Sequence, residues 1–211
     1  MIAGLPVVLA LVAFTFAYAG PEESTPTEST KTDKTRAALD TWLARIPEAE
    51  TGKVVSVDDE SVLKIFQDER FYVIRFMRYP RAQLVPPPLR LETLIRVQPD
   101  GSVQPLVDLD ELKNFLHAEL PTVRNLTVAR EVALATLRLA EEYYQDGFYA
   151  FDVPENSVSV IREPGQVVAS ATAVVTRGGR GQVTTKLSFG PSGRVDKIAI
   201  NGKVRPDVRL R

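Results

Sequence analysis

The feature of this sequence that most limits its fold is a block of residues that occurs twice. Residues 60–79 are ESVLKIFQDERFYVIRFMRY and residues 156–175 are NSVSVIREPGQVVASATAVV. Further along, residues 89–107 and residues 183–199 each have the pattern of a strand, a turn with proline and glycine, and a second strand. A helical pattern precedes each block. We therefore predict an α+β fold of two tandem units, each with one helix packed on a four-stranded antiparallel sheet.

The first unit is predicted over residues 35–107. An apolar stripe at helical spacing, which includes Trp42, predicts a helix over residues 35–46. Strands are predicted over residues 62–66, 71–78, 89–98 and 103–107. The third strand alternates apolar and charged residues, with Arg96 on the charged side, and this pattern is typical of a sheet that is covered on one face. We expect Arg96 to face solvent.

A helical connector is predicted over residues 108–126, and the second unit over residues 127–211. Asp108 and Glu111 have the spacing of a helix-capping box. The second unit should begin with a broad apolar helix that ends at Gly147. Its strands are predicted over residues 157–162, 166–175, 182–189 and 195–200.

The N-terminal part of the chain indicates export. Residues 1–19 carry no charged side chain and end in Ala-Tyr-Ala, which fits the small-x-small pattern that signal peptidase cuts. We predict a signal peptide, with an uncleaved N-terminal anchor as the alternative because the apolar run is close to bilayer length. Residues 20–34 are rich in Ser, Thr, Pro and Glu, which predicts a disordered linker. The expected location is secreted or extracellular, or the periplasm or envelope in a bacterium.

The composition argues against several kinds of chemistry. The chain has no cysteine and one histidine, His117, so it cannot form a thiol nucleophile, a cysteine-based metal site or a multi-histidine site. The formal net charge of -1 gives no general attraction to phosphate backbones. We predict a protein that is not an enzyme, has no cofactor and no metal site, and does not bind nucleic acid. Contact with a membrane is expected only if residues 1–19 are uncleaved.

One modification site follows from a short motif. Asn125-Leu126-Thr127 is a glycosylation sequon in a predicted loop of an exported chain. We therefore predict that Asn125 can carry a glycan if the chain is made in a eukaryote.

Two stretches and the tandem architecture resemble a known family. Residues 35–39 (TRAAL) and residues 189–210 (FGPSGRVDKIAINGKVRPDVRL) are similar to the first helix and the closing segment of latexin. Two units joined by a helical connector also resemble latexin and its secreted or membrane-anchored relatives, which have the cystatin-like fold. The resemblance implies two tandem cystatin-like units and a peptidase inhibitor that acts by occlusion, with a metallocarboxypeptidase as its partner.

A second stretch resembles an inhibitory hairpin. Residues 166–170 (QVVAS) are similar to the QxVxG segment that cystatins insert into papain-like clefts, although Ser170 replaces the final glycine. This resemblance makes Gln166, Val167 and Val168 candidate contacts with a peptidase or another protein partner. An ordinary strand start is the alternative interpretation.

A non-catalytic function remains open beside inhibition. The chain could be an extracellular or envelope binding or scaffold module, similar to tandem PepSY or NTF2-like domains. Occlusion should leave hairpins with exposed apolar tips, whereas a ligand-binding module should have a cavity between helix and sheet that is lined with a few polar groups.

Overall fold

The computed structural model describes residues 28–45, 52–76, 94–145 and 149–206. These residues form four α-helices and nine β-strands. In chain order they are α1 (Glu28–Leu43), β1 (Gly52–Ser56), α2 (Glu60–Ile65), β2 (Arg70–Phe76), β3 (Leu94–Val97), β4 (Val103–Leu106), α3 (Leu109–Glu119), α4 (Leu126–Glu141), β5 (Ala150–Asp152), β6 (Val158–Glu163), β7 (Gln166–Arg177), β8 (Gly179–Phe189) and β9 (Val195–Pro206).

The strands form two antiparallel sheets. Sheet 1 has the order β1-β2-β3-β4, so each strand lies beside its neighbour in the sequence. In sheet 2, β7, β8 and β9 are neighbours, while β5 and β6 both pair with β7 and together form the edge beside it. The fold is therefore α+β, with one four-stranded and one five-stranded antiparallel sheet.

The two sheets share one apolar core, in which α2, α3 and α4 lie between them. Buried residues of β2, β3 and β4 belong to the same cluster as buried residues of these helices and of β6 to β9. Helix α4 is buried over most of its circumference because it contacts both sheet 2 and α2. A second, smaller cluster fills the other face of sheet 1, where Leu39 and Trp42 of α1 cover Tyr72, Ile74 and Ile95.

The burial of sheet 1 on both faces corrects the prediction for Arg96. All four residues of β3 are buried, and Arg96 is only 7% exposed. Alternation places Ile95 and Val97 under α1, whereas Leu94 and Arg96 face the helices of the shared core. Arg96 was expected to face solvent because the sequence does not show that α3 returns to cover this face.

The strand predicted over residues 62–66 is wrong, because these residues belong to α2 and its C-terminal cap. The side chain of Asp59 caps this helix by accepting a hydrogen bond from the backbone N–H of Ser61 at 2.9 Å. The periodicity of a short apolar run does not distinguish a strand from a helix. In this segment the Asp59 cap marks the start of a helix. The first strand of sheet 1 is instead Gly52–Ser56, which the sequence pattern did not predict.

The first helix also departs from its predicted start. Helix α1 begins at Glu28, within the residues 20–34 that the composition assigns to a disordered linker. Residues 28–34 contain neither glycine nor proline, so nothing in them interrupts a helix that begins after Pro26.

The second unit matches its four predicted strands and adds one. Strand β5 pairs with the C-terminal part of β7 and makes sheet 2 five-stranded, which corrects the four-stranded prediction. Helix α4 ends at Glu141 and is followed by a 3-10 helix, Glu142–Tyr144. The predicted cap at Gly147 lies outside the described residues.

The predicted signal peptide or anchor, residues 1–19, also lies outside the described residues. Within the described part of the chain, no helix is long and apolar enough to cross a membrane.

Candidate functional site

Among the described residues, an open groove with converging polar groups lies between α3 and sheet 1, and we call it the α3 groove. Its residues come from β3, β4 and one face of α3, and it has a volume of about 410 Å³. They are Arg96, Gln104, Pro105, Glu111, Asn114, Phe115, Ala118 and Glu119. The volume lies in the range of small-molecule and side-chain binding sites.

Helix α3 is fixed over sheet 1 by its N-terminal cap and by an aromatic cluster. The Asp108 carboxylate accepts hydrogen bonds from the backbone N–H groups of Asp110 and Glu111, each at 2.9 Å, which confirms the predicted cap. The Phe115 ring packs against Phe66 and Phe71 with centroid distances of 5.4 and 5.7 Å. Phe115 is buried against sheet 1 and so fixes the orientation of α3. In this orientation Asn114 and Glu119 lie beside the sheet.

Arg96 forms the polar floor of the α3 groove. Its Nε donates to Glu69 at 2.9 Å, one terminal nitrogen donates to Gln104 at 3.2 Å, and the other contacts both Glu69 and, at 3.2 Å, Glu119. Burial alone would lower the pKa of Arg96, but the hydrogen bonds and charges of Glu69 and Glu119 raise it on balance. The guanidinium is thus permanently charged and its donors are directed at protein groups.

The walls of the groove carry exposed carboxylate and amide groups that could bind a ligand. Glu111 uses one carboxylate oxygen to accept a hydrogen bond from the backbone N–H of Val107 at 2.6 Å, and its other oxygen is exposed. Glu119 is 43% exposed, although one of its oxygens contacts Arg96. Two lining residues, Glu111 and Glu119, are acidic, whereas the one lining cation is Arg96, whose charge Glu69 also offsets. The groove can therefore accept a group that is cationic and donates hydrogen bonds.

A second polar cluster lies where α2, α4 and sheet 1 meet. Arg138 contacts Asp59 at 3.0 Å and Glu141 at 3.1 Å, and it lines a depression of about 290 Å³ between α2 and α4. Arg75 of β2 holds Glu142 at 2.8 Å. Burial raises the pKa of Glu141 to about 7, against the lowering effect of Arg138, and the charges of Glu142 and Asp59 raise it further.

The ion pairs of this cluster join elements of the fold and leave little exposed surface for a ligand. Its charged groups join α2 to α4 and β2 to the end of α4, and the Glu141 side chain is only 8% exposed. The hydroxyl of Tyr143 adds a hydrogen bond to the carbonyl of Leu106 at 2.7 Å, which ties the end of α4 to sheet 1. Burial raises the pKa of Tyr143, so this hydroxyl remains a donor.

The candidate partner contacts Gln166, Val167 and Val168 lie at the start of β7, after the β6–β7 turn. Gln166 is exposed and its amide donates to Glu163 at 2.6 Å, Val167 is half-buried, and Val168 is only 8% exposed. Residues 161–166 are all exposed, and a Cβ on Gly165 would meet nothing within 4 Å. The tip therefore projects into solvent, with the polar Glu163 and Gln166 beside Pro164 and Gly165 at the turn and the exposed Ile161 further back on β6.

Asn125 lies at the surface as the N-cap of α4. Its side-chain oxygen accepts a hydrogen bond from the backbone N–H of Val128 at 2.9 Å. The amide nitrogen, which is the atom that would carry a glycan, is not needed for this cap. Glycosylation of Asn125 stays a prediction.

The groove was not predicted from the sequence, because its charged residues are far apart in the chain. Glu69 lies in the loop before β2, Arg96 in β3 and Glu119 in α3, and no local motif joins them. His117 is exposed, and it does not line the groove. Among the described residues, no group of three or more His, Cys, Asp or Glu is arranged to hold a metal ion.

Comparisons of the chain with protein-family models, with curated proteins and with solved structures found no match.

Proposed function

We propose that the chain is a non-catalytic binding module that receives a basic side chain of a protein partner in the α3 groove. The observation that carries this proposal is the excess of carboxylates around a groove whose one cation is already paired. Glu111 and Glu119 present free oxygens at its walls, and Asn114 offers an amide between them. A lysine or arginine side chain could donate hydrogen bonds to these groups without displacing Arg96 from its partners.

The arrangement of the floor favours a charged ligand over an apolar one. The buried Phe115 ring supplies a flat apolar surface, but Arg96 already stacks on it with its guanidinium carbon 4.7 Å from the ring centre. A ligand would therefore contact the rims of α3 and β4, where Glu119 and Gln104 are exposed. Exposed carboxylates favour a guanidinium especially, because its planar donors match two oxygens at once.

The proposal can be tested with two ligands that differ only in charge. Chemical-shift perturbation in the full chain should map acetyl-arginine amide to the backbone amides of α3 and β4, with weak binding of about 1 mM for so small a ligand. Acetyl-citrulline amide has nearly the same shape without the charge and should bind much more weakly. Equal shifts with both ligands, or shifts outside α3 and β4, would contradict the proposal.

A matched pair of variants sharpens this test. Glu119→Gln removes a carboxylate at the groove, whereas Glu155→Gln removes an exposed carboxylate in the loop before β6, far along the chain from α3. Binding of the arginine ligand should weaken at least threefold in the first variant and remain unchanged in the second. Loss in both would indicate a general charge effect.

Peptidase inhibition by occlusion, as in the latexin family, is the second candidate function. The projecting β6–β7 hairpin favours it, because residues 161–166 are all exposed and Gly165 lies in open space. The mainly polar tip differs from the apolar tip expected of an inhibitory wedge. Inhibition should appear when the full chain is titrated into metallocarboxypeptidase and papain-type assays, and it should be lost in the tip variant Glu163→Ala with Gln166→Ala. No inhibition of either enzyme class would exclude this candidate.

A further inference from the structure

The outward surface of sheet 2 carries five basic side chains, and we call this surface the basic face. Strand β8 alternates, with Val183, Thr185, Leu187 and Phe189 buried in the shared core. The intervening residues of β8 therefore face outward. In β9 the buried Ile198 and Ile200 define the same inward side. The outward basic residues are Arg180, Lys186, Lys197, Lys203 and Arg205.

The side chains of these five cations are unpaired. All five are exposed, and no hydrogen bond or ion pair joins any of these side chains to another described residue. By contrast, Lys64, Arg96 and Arg138 each pair with a carboxylate. The outward paired positions of β7, β8 and β9 include no Asp or Glu, and the exposed carboxylates nearby are Asp196 at the bulge of β9 and Glu163 on the edge strand β6. A chain with a net charge of -1 has thus separated a block of positive charge onto one surface.

The register of the strands places the cations in two groups. Arg180 pairs with Arg205 and lies near Lys203, while Lys186 and Lys197 lie on neighbouring positions toward the other end of β8 and β9. Six residues separate Arg180 from Lys186, which corresponds to about 20 Å along an antiparallel strand. An anionic partner that contacts both groups must therefore be extended, and its charges must repeat.

Hydroxyl groups occupy the surface between and beside the two basic groups. The Thr172 and Thr184 hydroxyls lie 3.0 Å apart on neighbouring strands, and those of Ser159 and Ser170 lie 2.9 Å apart. Asn201 pairs with Thr184 in the same row. These side chains are short, so the centre of the face is accessible and can form hydrogen bonds with a hydroxyl-rich partner.

The basic face lacks the groups that other anionic partners need. Its strands present no outward aromatic ring for stacking on nucleic-acid bases. Among the described residues of sheet 2, the one large apolar side chain that is strongly exposed is Ile161, on the edge strand β6. A surface that inserts into a bilayer interface normally carries several such side chains beside its lysines.

We infer that the basic face binds an acidic polysaccharide, with the two basic groups contacting its carboxylate or sulfate groups and the hydroxyl rows contacting its sugar hydroxyls. The strand spacing of about 4.8 Å makes the face broad enough for a single extended glycan chain along β8 and β9. This site lies on the surface of sheet 2 that faces away from the shared core, and so it is separate from the α3 groove.

The test compares polysaccharides that carry carboxylate groups, sulfate groups or no charge. Titration calorimetry of the full chain at about 0.1 M salt, where charges more than 10 Å apart are screened, should detect binding of alginate, which is carboxylated, or dextran sulfate, which is sulfated. Whichever of the two binds more tightly identifies the anionic group, and neutral dextran should not bind. Absence of binding to both anionic polymers would overturn the proposal.

Matched variants separate a specific face from net charge. The triple variant Lys186→Gln, Lys203→Gln and Arg205→Gln should weaken glycan binding about tenfold or more, because it removes cations from both groups. A control with Lys53→Gln, Arg124→Gln and Arg162→Gln removes the same charge from exposed positions outside the basic face and should change affinity less than twofold. Both variants should retain the circular dichroism spectrum of the parent. Equal weakening in the two variants would overturn the proposal.

Competing partners provide the last comparison. One competitor is vesicles that contain phosphatidylglycerol, and the other is a duplex DNA oligonucleotide. Both carry repeated anionic groups but lack the dense sugar hydroxyls of a polysaccharide. Tighter binding to either of them than to the glycans, at the same salt concentration, would replace the glycan assignment with a membrane or nucleic-acid one. Weaker binding to both would support it.

Discussion

The guanidinium of Arg96 lies over the ring of Phe115, with its central carbon 4.7 Å from the ring centroid. This contact joins β3 to α3 from inside the molecule, and Glu69 and Glu119 hold the charged group from two sides. Arg96 and Phe115 therefore cover one face of sheet 1 and also form the floor of the α3 groove. A ligand in the groove would rest on residues that also stabilise the fold.

Replacement of Arg96 by methionine should destabilise the protein strongly. Methionine can fill part of the space over Phe115, but the Glu69 side chain, which is 13% exposed, would lose its cation. Breaking a buried pair in this way typically costs about 3 to 5 kcal/mol. Urea unfolding followed by tryptophan fluorescence would measure the loss, because Trp42 packs on the opposite face of sheet 1.

Two comparisons control this prediction. Arg36→Met breaks an exposed pair with Asp40, whose atoms are 3.0 Å apart, and should change the free energy of unfolding by less than about 0.5 kcal/mol. Arg96→Met combined with Glu69→Leu removes the uncompensated charge and should recover part of the stability. If the double variant is less stable than Arg96→Met alone, the charge explanation is wrong.

Thr136 in α4 offers a change that should stabilise the protein. Its side chain is fully buried, and its hydroxyl has no hydrogen-bond partner among the described residues. Thr136→Val keeps the shape and removes this unsatisfied group, so the free energy of unfolding should rise by about 1 kcal/mol. Thr185 is the control, since it is equally buried but its hydroxyl donates to the carbonyl of Ala133 at 3.5 Å. Thr185→Val should give no gain. A loss of stability in Thr136→Val would show that its hydroxyl does find a partner.

The sequence predicted sheet 2 better than sheet 1, and the reason lies in burial. Strand β8 has one buried face, so its alternation shows both its type and its inward side. Strand β3 is buried on both faces, and its single charged residue gave a misleading pattern. The α2 segment is too short for periodicity to identify, and only the Asp59 cap marks it as a helix. The α3 groove could not be predicted, because it depends on how distant elements pack.

Gly181 should be far less tolerant of substitution than Gly165. At Gly181 the backbone has φ +131, and an added Cβ would lie 1.8 Å from the carbonyl oxygen of Lys203 on the paired strand. Since neither backbone can move without breaking the β8–β9 ladder, Gly181→Ala should cost about 3 kcal/mol or more. Gly165 has φ +77 in open space, so Gly165→Ala should cost only about 1 kcal/mol of backbone strain.

Chemical denaturation of the two glycine variants would measure this difference directly. Both positions have a positive φ, +131 at Gly181 and +77 at Gly165, and only Gly181 adds the steric contact with Lys203. Equal losses in the two variants would mean that the strands separate locally to accommodate the methyl group.

The buried Glu141 should make stability depend on pH. Burial raises the pKa of its carboxyl from 4.5 to about 7, so between these values the folded state holds a proton that the unfolded state has released. The free energy of unfolding must then fall as the pH rises through this window, by about 3 kcal/mol for a shift of this size. Above pH 7 the contribution is constant, because both states are ionised.

Glu141→Gln isolates this effect from the other titrating groups. The groups that face Glu141 are Arg138, Asp59 and Glu142, and Arg75 in turn pairs with Glu142. Glutamine cannot ionise, so the free energy of unfolding of the variant lacks this pH dependence. The difference between variant and parent should therefore rise between pH 4.5 and pH 7 by the free energy that the parent loses in this range. Urea midpoints at pH 5 and pH 8 would measure this change, with Glu155→Gln as the exposed control. A constant difference between variant and parent would mean that Glu141 is ionised throughout, with Arg138 fully compensating its burial.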